Sequence, residues 1–350
     1  MNILYILNHK ILSDFEIPIL IKNNFGVYLP KIYNSLSPYD SINFNNHYIY
    51  DYSLNINTNH YNYLNNFDFF NKCDTYNDEL MNIINNNFNV IFIALYANIT
   101  LIDFLVQKFN GTIYLRFFGR ERDLSYSDFF KSHKYLSNTP KLKFIFSYPE
   151  IIDFEFNNNN FFHNNNSLYI PLGIPDYFFN KYNNIYNNSN NSNNFVFVCS
   201  KINICDYYTQ IYNDFNNLLI DFDFIILGRN NININDHRIK NNLNDHEYYT
   251  QMANSIAMYY HGKEPRHLHY HPIEAIIIGL PIIFHAESLL STYLNDSPGK
   301  CYNDQEVIEK LNKIKNNIDF KNEIIKYQNN IQQIFTTNYN LNIFEKLLLL

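Results

Sequence analysis

Residues 180–194 are almost wholly Asn, Ser and Tyr, and this stretch constrains the fold more than any other feature. A segment so poor in aliphatic side chains cannot supply a core, so it reads as a linker between two separately packed bodies. On both sides of it, short apolar runs alternate with longer amphipathic stretches, the pattern of strands and helices taking turns around a parallel sheet. Before the linker, strands are expected at 3–7, 27–29, 90–95, 112–116 and 144–147, with helices at 15–23 and 101–109. After it, strands are expected at 195–198, 222–227, 256–260 and 282–284, with helices at 207–218, 246–255 and 272–278. The expected organisation is an α/β domain over 1–180, a linker at 181–194, and a second α/β domain over 195–350 whose closing helices, from 305 onward, are free to cross back.

A chain of 350 residues is long enough for two ordinary domains, and its 46% hydrophobic content can fill both cores. The net charge of −7 lacks the basic footprint of a nucleic-acid binder, so no nucleic-acid partner is expected. Cys73, Cys199, Cys205 and Cys301 form no C-x-x-C pair, which speaks against a zinc ribbon or redox motif and fits reduced thiols. The apolar start over 1–12 is short and strand-like, and no run reaches the length of a membrane span, so a cytoplasmic protein is expected. The sequons at Asn98, Asn165, Asn187 and Asn190 then follow from asparagine richness alone. The tail at 344–350 ends in four leucines and is expected to pack on a neighbouring surface, with weak peripheral membrane contact as the alternative.

The most informative stretch is 260–281. Pro272 suits the first turn of a helix, Glu274 is expected in that same turn, and Gly279 with Pro281 ends it. A short helix that opens at the C-terminal edge of a parallel sheet offers free N–H groups to an anion. A carboxylate beside them can accept hydrogen bonds from ribose hydroxyls. The plainer alternative is that Glu274 caps the helix and Gly279 terminates it.

Glu264-Pro265, Glu274-Ala275 and Gly279-Leu280-Pro281 together resemble the donor-binding segment of GT-B glycosyltransferases, especially the family-four group. That family separates its two glutamates by seven residues, and here nine intervene. The resemblance implies two Rossmann-like domains facing across a cleft, the first for the acceptor and the second mainly for the nucleotide sugar, with Glu274 on the donor ribose and Glu264 on the sugar. Residues 169–175 are similar to the family's approach to its interdomain linker. Ser200 and Lys201 stand where the second nucleotide-binding domain begins and basic residues meet the diphosphate.

Arginine is used sparingly, at 116, 120, 122, 229, 238 and 266, against a background of lysine. Planar, permanently charged forks at strand ends match phosphate oxygens, which makes Arg229 and Arg266 candidates for the diphosphate. The loop from Arg116 through Gly119 and Arg120 to Arg122 is assigned to the interdomain face, on donor phosphate or acceptor. Ordinary surface ion pairs are the alternative for each. His261, His267, His269, His271 and His285 invite a metal reading, but no recognised ligand set completes them. A histidine such as His267 or His269 bonding donor phosphate or sugar is preferred. Asp14 and Glu16, after the first strand, are candidates for an acceptor base, although retaining enzymes of the resembling kind need none, and a helix N-terminus explains both.

The expected activity is metal-independent transfer of a sugar from a nucleotide-sugar co-substrate to a glycan, lipid-linked or polymer acceptor. Departure of the nucleoside diphosphate would be assisted by Lys201, Arg229 and Arg266. A cytidine-linked polyol-phosphate transferase of the CDP-glycerol type and a non-catalytic GT-B binding protein are the alternatives.

Overall fold

In the computed structural model, residues 1–7, 9–30, 54–69, 76–93, 98–158, 161–163, 165–186, 193–229, 231, 234–241 and 243–345 are described. Expectations for Cys73, Asn187, Asn190, most of the linker and the 346–350 leucine tail lie outside them. The contacts divide the chain into two units. One comprises Met1–Gly119, Leu124–Pro175 and Thr337–Leu350, the other Arg120–Asp123 and Asp176–Thr336.

Among its described residues the first unit holds six parallel strands: β1 (Asn2–Ile6), β2 (Gly26–Tyr28), β3 (Val90–Ile93), β4 (Thr112–Phe117), β5 (Leu142–Phe146) and β6 (Ser167–Tyr169). Their order across the sheet is β2-β1-β3-β4-β5-β6. The second unit holds β7 (Phe195–Val198), β8 (Phe224–Leu227), β9 (Ile239–Lys240), β10 (Met258–Tyr260), β11 (Ile282–His285) and β12 (Lys300–Cys301). Here the order is β12-β11-β10-β7-β8-β9, again parallel throughout. Central strands such as β3, β7, β8, β10 and β11 are buried along their whole length, because helices cover both faces, and they therefore read as unbroken apolar runs.

From β7 the chain winds outward through β8 and β9, then returns to the other side of β7 for β10, β11 and β12. That reversal creates a switch point between β7 and β10, where the loops leaving the two strands diverge and open a crevice at their carboxyl ends. In the core beneath it, Phe197 stacks on Phe215 with ring centroids 4.0 Å apart. Phe215 comes from the helix Asp206–Leu218, the crossover between β7 and β8.

Three boundaries differ from the sequence reading. The unit division falls at Pro175/Asp176 and not inside the Asn-rich stretch, because Asn184 and Tyr186 donate backbone N–H groups to the Ile277 and Ile278 carbonyls. Those contacts satisfy the open C-terminal carbonyls of the helix Tyr270–Ile278. The closing helix Thr337–Glu345 belongs to the first unit, with Phe344 edge-on to Phe15. The first helix runs Lys10–Lys22, starting before the expected residue 15, because the His9 ring caps it by accepting from Leu12 N at 3.4 Å. Among the described residues no helix is long and apolar enough to cross a membrane.

Gly279 ends the helix Tyr270–Ile278 in the left-handed region, at φ 84°. A side chain there would be strained, and its Cβ would lie 3.2 Å from Asn184 Oδ1. Gly279→Ala is therefore expected to cost about 1–2 kcal/mol, read as a fall in urea midpoint with an unchanged m-value. An unchanged midpoint would contradict this assignment.

Candidate functional site

The crevice is built by the loops after β7, β8 and β10. Gly228 lets the first two touch: a Cβ there would sit 2.0 Å from the Cys199 carbonyl oxygen. Across that contact Lys201 N donates to Arg229 O at 2.9 Å, and Arg229 N donates to Ser200 Oγ at 3.1 Å. Lys201 holds a left-handed backbone, φ 60°, a conformation unusual outside glycine and asparagine. Ser200, Lys201 and Arg229 are thus gathered in one place. The Arg229 guanidinium meets Asp245 at 3.1 Å, with both side chains well exposed, a pairing weak enough to be exchanged for another anion.

Glu274 lies two residues further into its helix than expected. The helix starts at Tyr270 with His269 as N-cap, so Pro272 is its third residue and Glu274 its fifth. The N-cap His269 makes no side-chain capping bond, and the N-terminal end of the helix carries the positive end of its dipole. Glu274 is only 4% exposed and accepts a hydrogen bond from Tyr249 Oη at 3.0 Å. Burial pushes its carboxyl up to about 7, while the Tyr249 bond and the charge of Arg229 pull the other way. Arg229 is thereby the electrostatic link between Glu274 and the loops after β7 and β8.

On the other side, Glu264 accepts a hydrogen bond from the Tyr207 hydroxyl, and its buried Oε2 has no partner. The Arg266 guanidinium pairs with Asp123, donating to both its carboxylate and its carbonyl oxygen. In the same short segment, Glu121 accepts from Tyr208 Oη at 2.6 Å, and Arg122 lies over the Tyr207 ring at 5.9 Å. Arg120 belongs to this segment and so to the second unit. Arg266 is therefore a neutralised group in the free protein and not an open phosphate fork.

The histidines form a packed row. His267 and His269 stack with centroids 4.5 Å apart, and His261 lies 5.5 Å from His269 and 6.0 Å from His271. His269 exchanges hydrogen bonds with Tyr260 Oη at 3.2 Å and Tyr208 Oη at 3.4 Å. Burial holds all four imidazoles below their usual pKa, His261 at about 4. They are neutral donors at pH 7. Among the described residues no three His, Cys, Asp or Glu side chains are grouped as a metal ion would need.

The row also makes the fold acid-sensitive. The folded pKa of His261 lies below its unfolded value of 6.5, so its contribution is complete above pH 6.5 and lost as pH falls toward 4. That single group is expected to remove about 3 kcal/mol by pH 4. His261→Gln should flatten this limb of a melting-temperature profile between pH 7 and 4.5, and an equally steep profile in the variant would contradict the assignment.

Several expected site residues prove structural. Gly279 terminates its helix, its N–H taken by the Ala275 and Ile276 carbonyls, at the end opposite the N-terminal turn. Gln328, wholly buried, fixes the turn that follows by donating to Leu280 O and accepting from Ile282 N. Glu16 is 1% exposed, 2.8 Å from the Arg116 guanidinium and bonded by Tyr5 Oη, so it is no acceptor base. Arg116 in turn donates to the Ile170 and Pro171 carbonyls and is buried, not placed in a cleft. Asp14 pairs with Lys10 at 2.5 Å inside the first helix, one turn on.

The backbone fold is similar to that of several solved structures. HepE of Anabaena, crystallised with UDP-glucose, superposes at a TM-score of 0.68 over 100% of both chains, with 12% sequence identity. The fold is GT-B. A glycosyltransferase of Rickettsia africae matches at 0.64 and 13% identity over 99% of this chain and 97% of that one. Sucrose-phosphate synthase of Thermosynechococcus elongatus matches at 0.63 and 11%, over 99% and 98%. No family model and no curated protein sequence matches the chain. The GT-B likeness is thus carried by backbone architecture at identities too low to transfer residue roles. Sequence reasoning missed Tyr207, Tyr208 and Tyr249, which hold Glu264, Glu121 and Glu274. The Tyr-Tyr pairs at 207–208 and 248–249, one in the first turn of its helix and one a turn into the next, were the available signal.

Proposed function

We propose that this chain is a glycosyltransferase that takes a sugar from a nucleoside-diphosphate donor, without a metal cofactor, and passes it to a glycan or lipid-linked acceptor. The observation that carries the reading is the meeting of Ser200, Lys201 and Arg229 at the switch point of the second sheet, with Glu274 under the field of Arg229. Switch points of this kind take nucleotides, and the GT-B likeness supports a sugar nucleotide among them.

In this reading the bond from the anomeric carbon to the diphosphate breaks, and a new one forms to an acceptor hydroxyl, whose proton leaves with the diphosphate. The charge growing on the leaving group needs fixed donors. Lys201 and Arg229 supply cationic ones, and the N-terminal end of the helix Tyr270–Ile278 supplies the positive end of its dipole. The neutral imidazoles of His267 and His269 donate hydrogen bonds there without paired counter-charges. Glu274 accepts from ribose hydroxyls, and Glu264, held by the Tyr207 hydroxyl, is the acceptor for the sugar.

Thermal unfolding with UDP-glucose, GDP-mannose and CDP-glycerol tests this directly. A donor present at 100 times its dissociation constant adds about 2.7 kcal/mol, a shift of several degrees. A sugar nucleotide should give that shift with or without EDTA, and radiolabelled sugar should then appear in product. A shift with CDP-glycerol alone would favour polyol-phosphate transfer, for which the histidine row is the supporting feature. No shift with any of the three would overturn the reading.

A further inference from the structure

Glu274 sits in a helix that is buried from His271 to Ile278, where a carboxylate needs a partner that fixes it. That partner is Tyr249, whose hydroxyl donates to Glu274 Oε1 at 3.0 Å. The donor reading assigns this tyrosine no part.

Tyr249 is itself clamped. It belongs to the helix Asp245–Ala253 and is 8% exposed. Phe178 meets its ring edge-on at 4.8 Å and Tyr182 packs on it at 4.7 Å, both buried side chains of the helix Asp176–Tyr182. A ring wedged between two others cannot change rotamer without displacing them, so its hydroxyl points one way. The start of its helix is fixed as well: the Asn244 side chain accepts from Glu247 N at 3.0 Å, and the Glu247 carboxylate accepts from Asn244 N at 2.9 Å. Four residues before Tyr249, on the same helical face, Asp245 holds the Arg229 guanidinium at 3.1 Å. One face of one helix thus sets both Glu274 and Arg229.

We propose that Tyr249 is a positioning residue that makes this chain select ribonucleotides over their deoxy forms, by holding Glu274 with its second oxygen toward the ribose hydroxyls. Naming the ligand rests on the donor reading. Oε1 is taken by Tyr249, whereas Oε2 makes no hydrogen bond among the described residues and, unlike Glu264 Oε2, is not sealed from solvent. Burial favours the neutral form of Glu274; the Tyr249 bond and Arg229 favour the ionised form, the better acceptor of hydroxyls, and Asp245 opposes it. A sugar without those hydroxyls gains nothing from the arrangement.

The test is isothermal titration of the full chain near neutral pH with UDP, GDP and CDP, and with the 2′,3′-dideoxy form of each that binds. Tyr249→Phe keeps the ring against Phe178 and Tyr182 and removes only the hydroxyl. Wild type should bind the ribonucleotide about tenfold or more tighter than its dideoxy form. In Tyr249→Phe the ribonucleotide should weaken about tenfold while the dideoxy form binds as it does to wild type. A tyrosine with a merely structural role would weaken both ligands alike. Equal weakening of the two, an unchanged ribonucleotide affinity in the variant, or a wild type that does not distinguish the two sugars would overturn the proposal. A wild type that binds none of the three diphosphates would overturn the donor reading, and the proposal with it.

Discussion

Glu274→Gln will stabilise the free protein above pH 7 while removing its response to a nucleotide sugar. Burial raises the folded-state pKa of Glu274 from 4.5 to about 7. A carboxyl raised in this way contributes its full stability below pH 4.5 and loses it as pH climbs through 7, where the buried group must ionise. At pH 8 the loss amounts to about 3 kcal/mol. Glutamine keeps the acceptor for Tyr249 Oη and carries no charge, so the variant should melt several degrees above wild type at pH 8 and level with it at pH 4.5. Its donor shift should disappear, since the amide halves the acceptor capacity offered to the ribose. A variant whose melting temperature tracks wild type across this range would show that Glu274 is not ionised at a cost, and a preserved donor shift would remove it from the site.

Arg116→Met will cost the first unit about 3–5 kcal/mol, the largest effect expected of any single substitution here. The guanidinium is 2% exposed, faces Glu16 at 2.8 Å, and holds the Ile170 and Pro171 carbonyls. Removing it leaves a buried carboxylate and two carbonyls without their donor. The companion double variant Glu16→Leu/Arg116→Met takes away both charges and should recover a large part of the loss, because an ion pair in low dielectric gains little over packed apolar groups. Chemical denaturation of the three proteins gives the coupling. If the double variant is as unstable as the single one, the pair does not act as a unit.

How much of this was legible in the sequence differs by element. The long buried strands were plain, because β3, β7, β8, β10 and β11 are covered on both faces and leave continuous apolar runs. The edge strands β9 and β12 were not, since two residues each carry no periodicity and exist only by pairing with a neighbour. The helix after β10 was found from Pro272 and Gly279, but its start was placed two residues late. Nothing in His269-Tyr270-His271 signals a cap, and the start is set by the surrounding imidazole and tyrosine packing.

The site shows the same division. That Ser200, Lys201 and Arg229 lie together was legible because strand ends at a parallel sheet's carboxyl edge converge by topology. Arg116 and Glu16 were misread for the opposite reason. Rare arginines are usually surface groups, and only tertiary packing reveals one that has been buried with its counter-charge. The Asn-rich stretch was correctly poor in core residues, yet Asn184 and Tyr186 use backbone groups, which composition does not report, to close the end of a helix.

The central claim is that the loops after β7, β8 and β10, with the helix Tyr270–Ile278, cradle a nucleoside diphosphate. Hydrogen–deuterium exchange of the full chain with and without UDP tests it most directly. Protection should rise in peptides covering 199–203, 228–229 and 261–274, with the amides at the start of the helix slowed most. Saturating UDP that leaves these peptides unchanged, or protects only the first unit, would contradict the account.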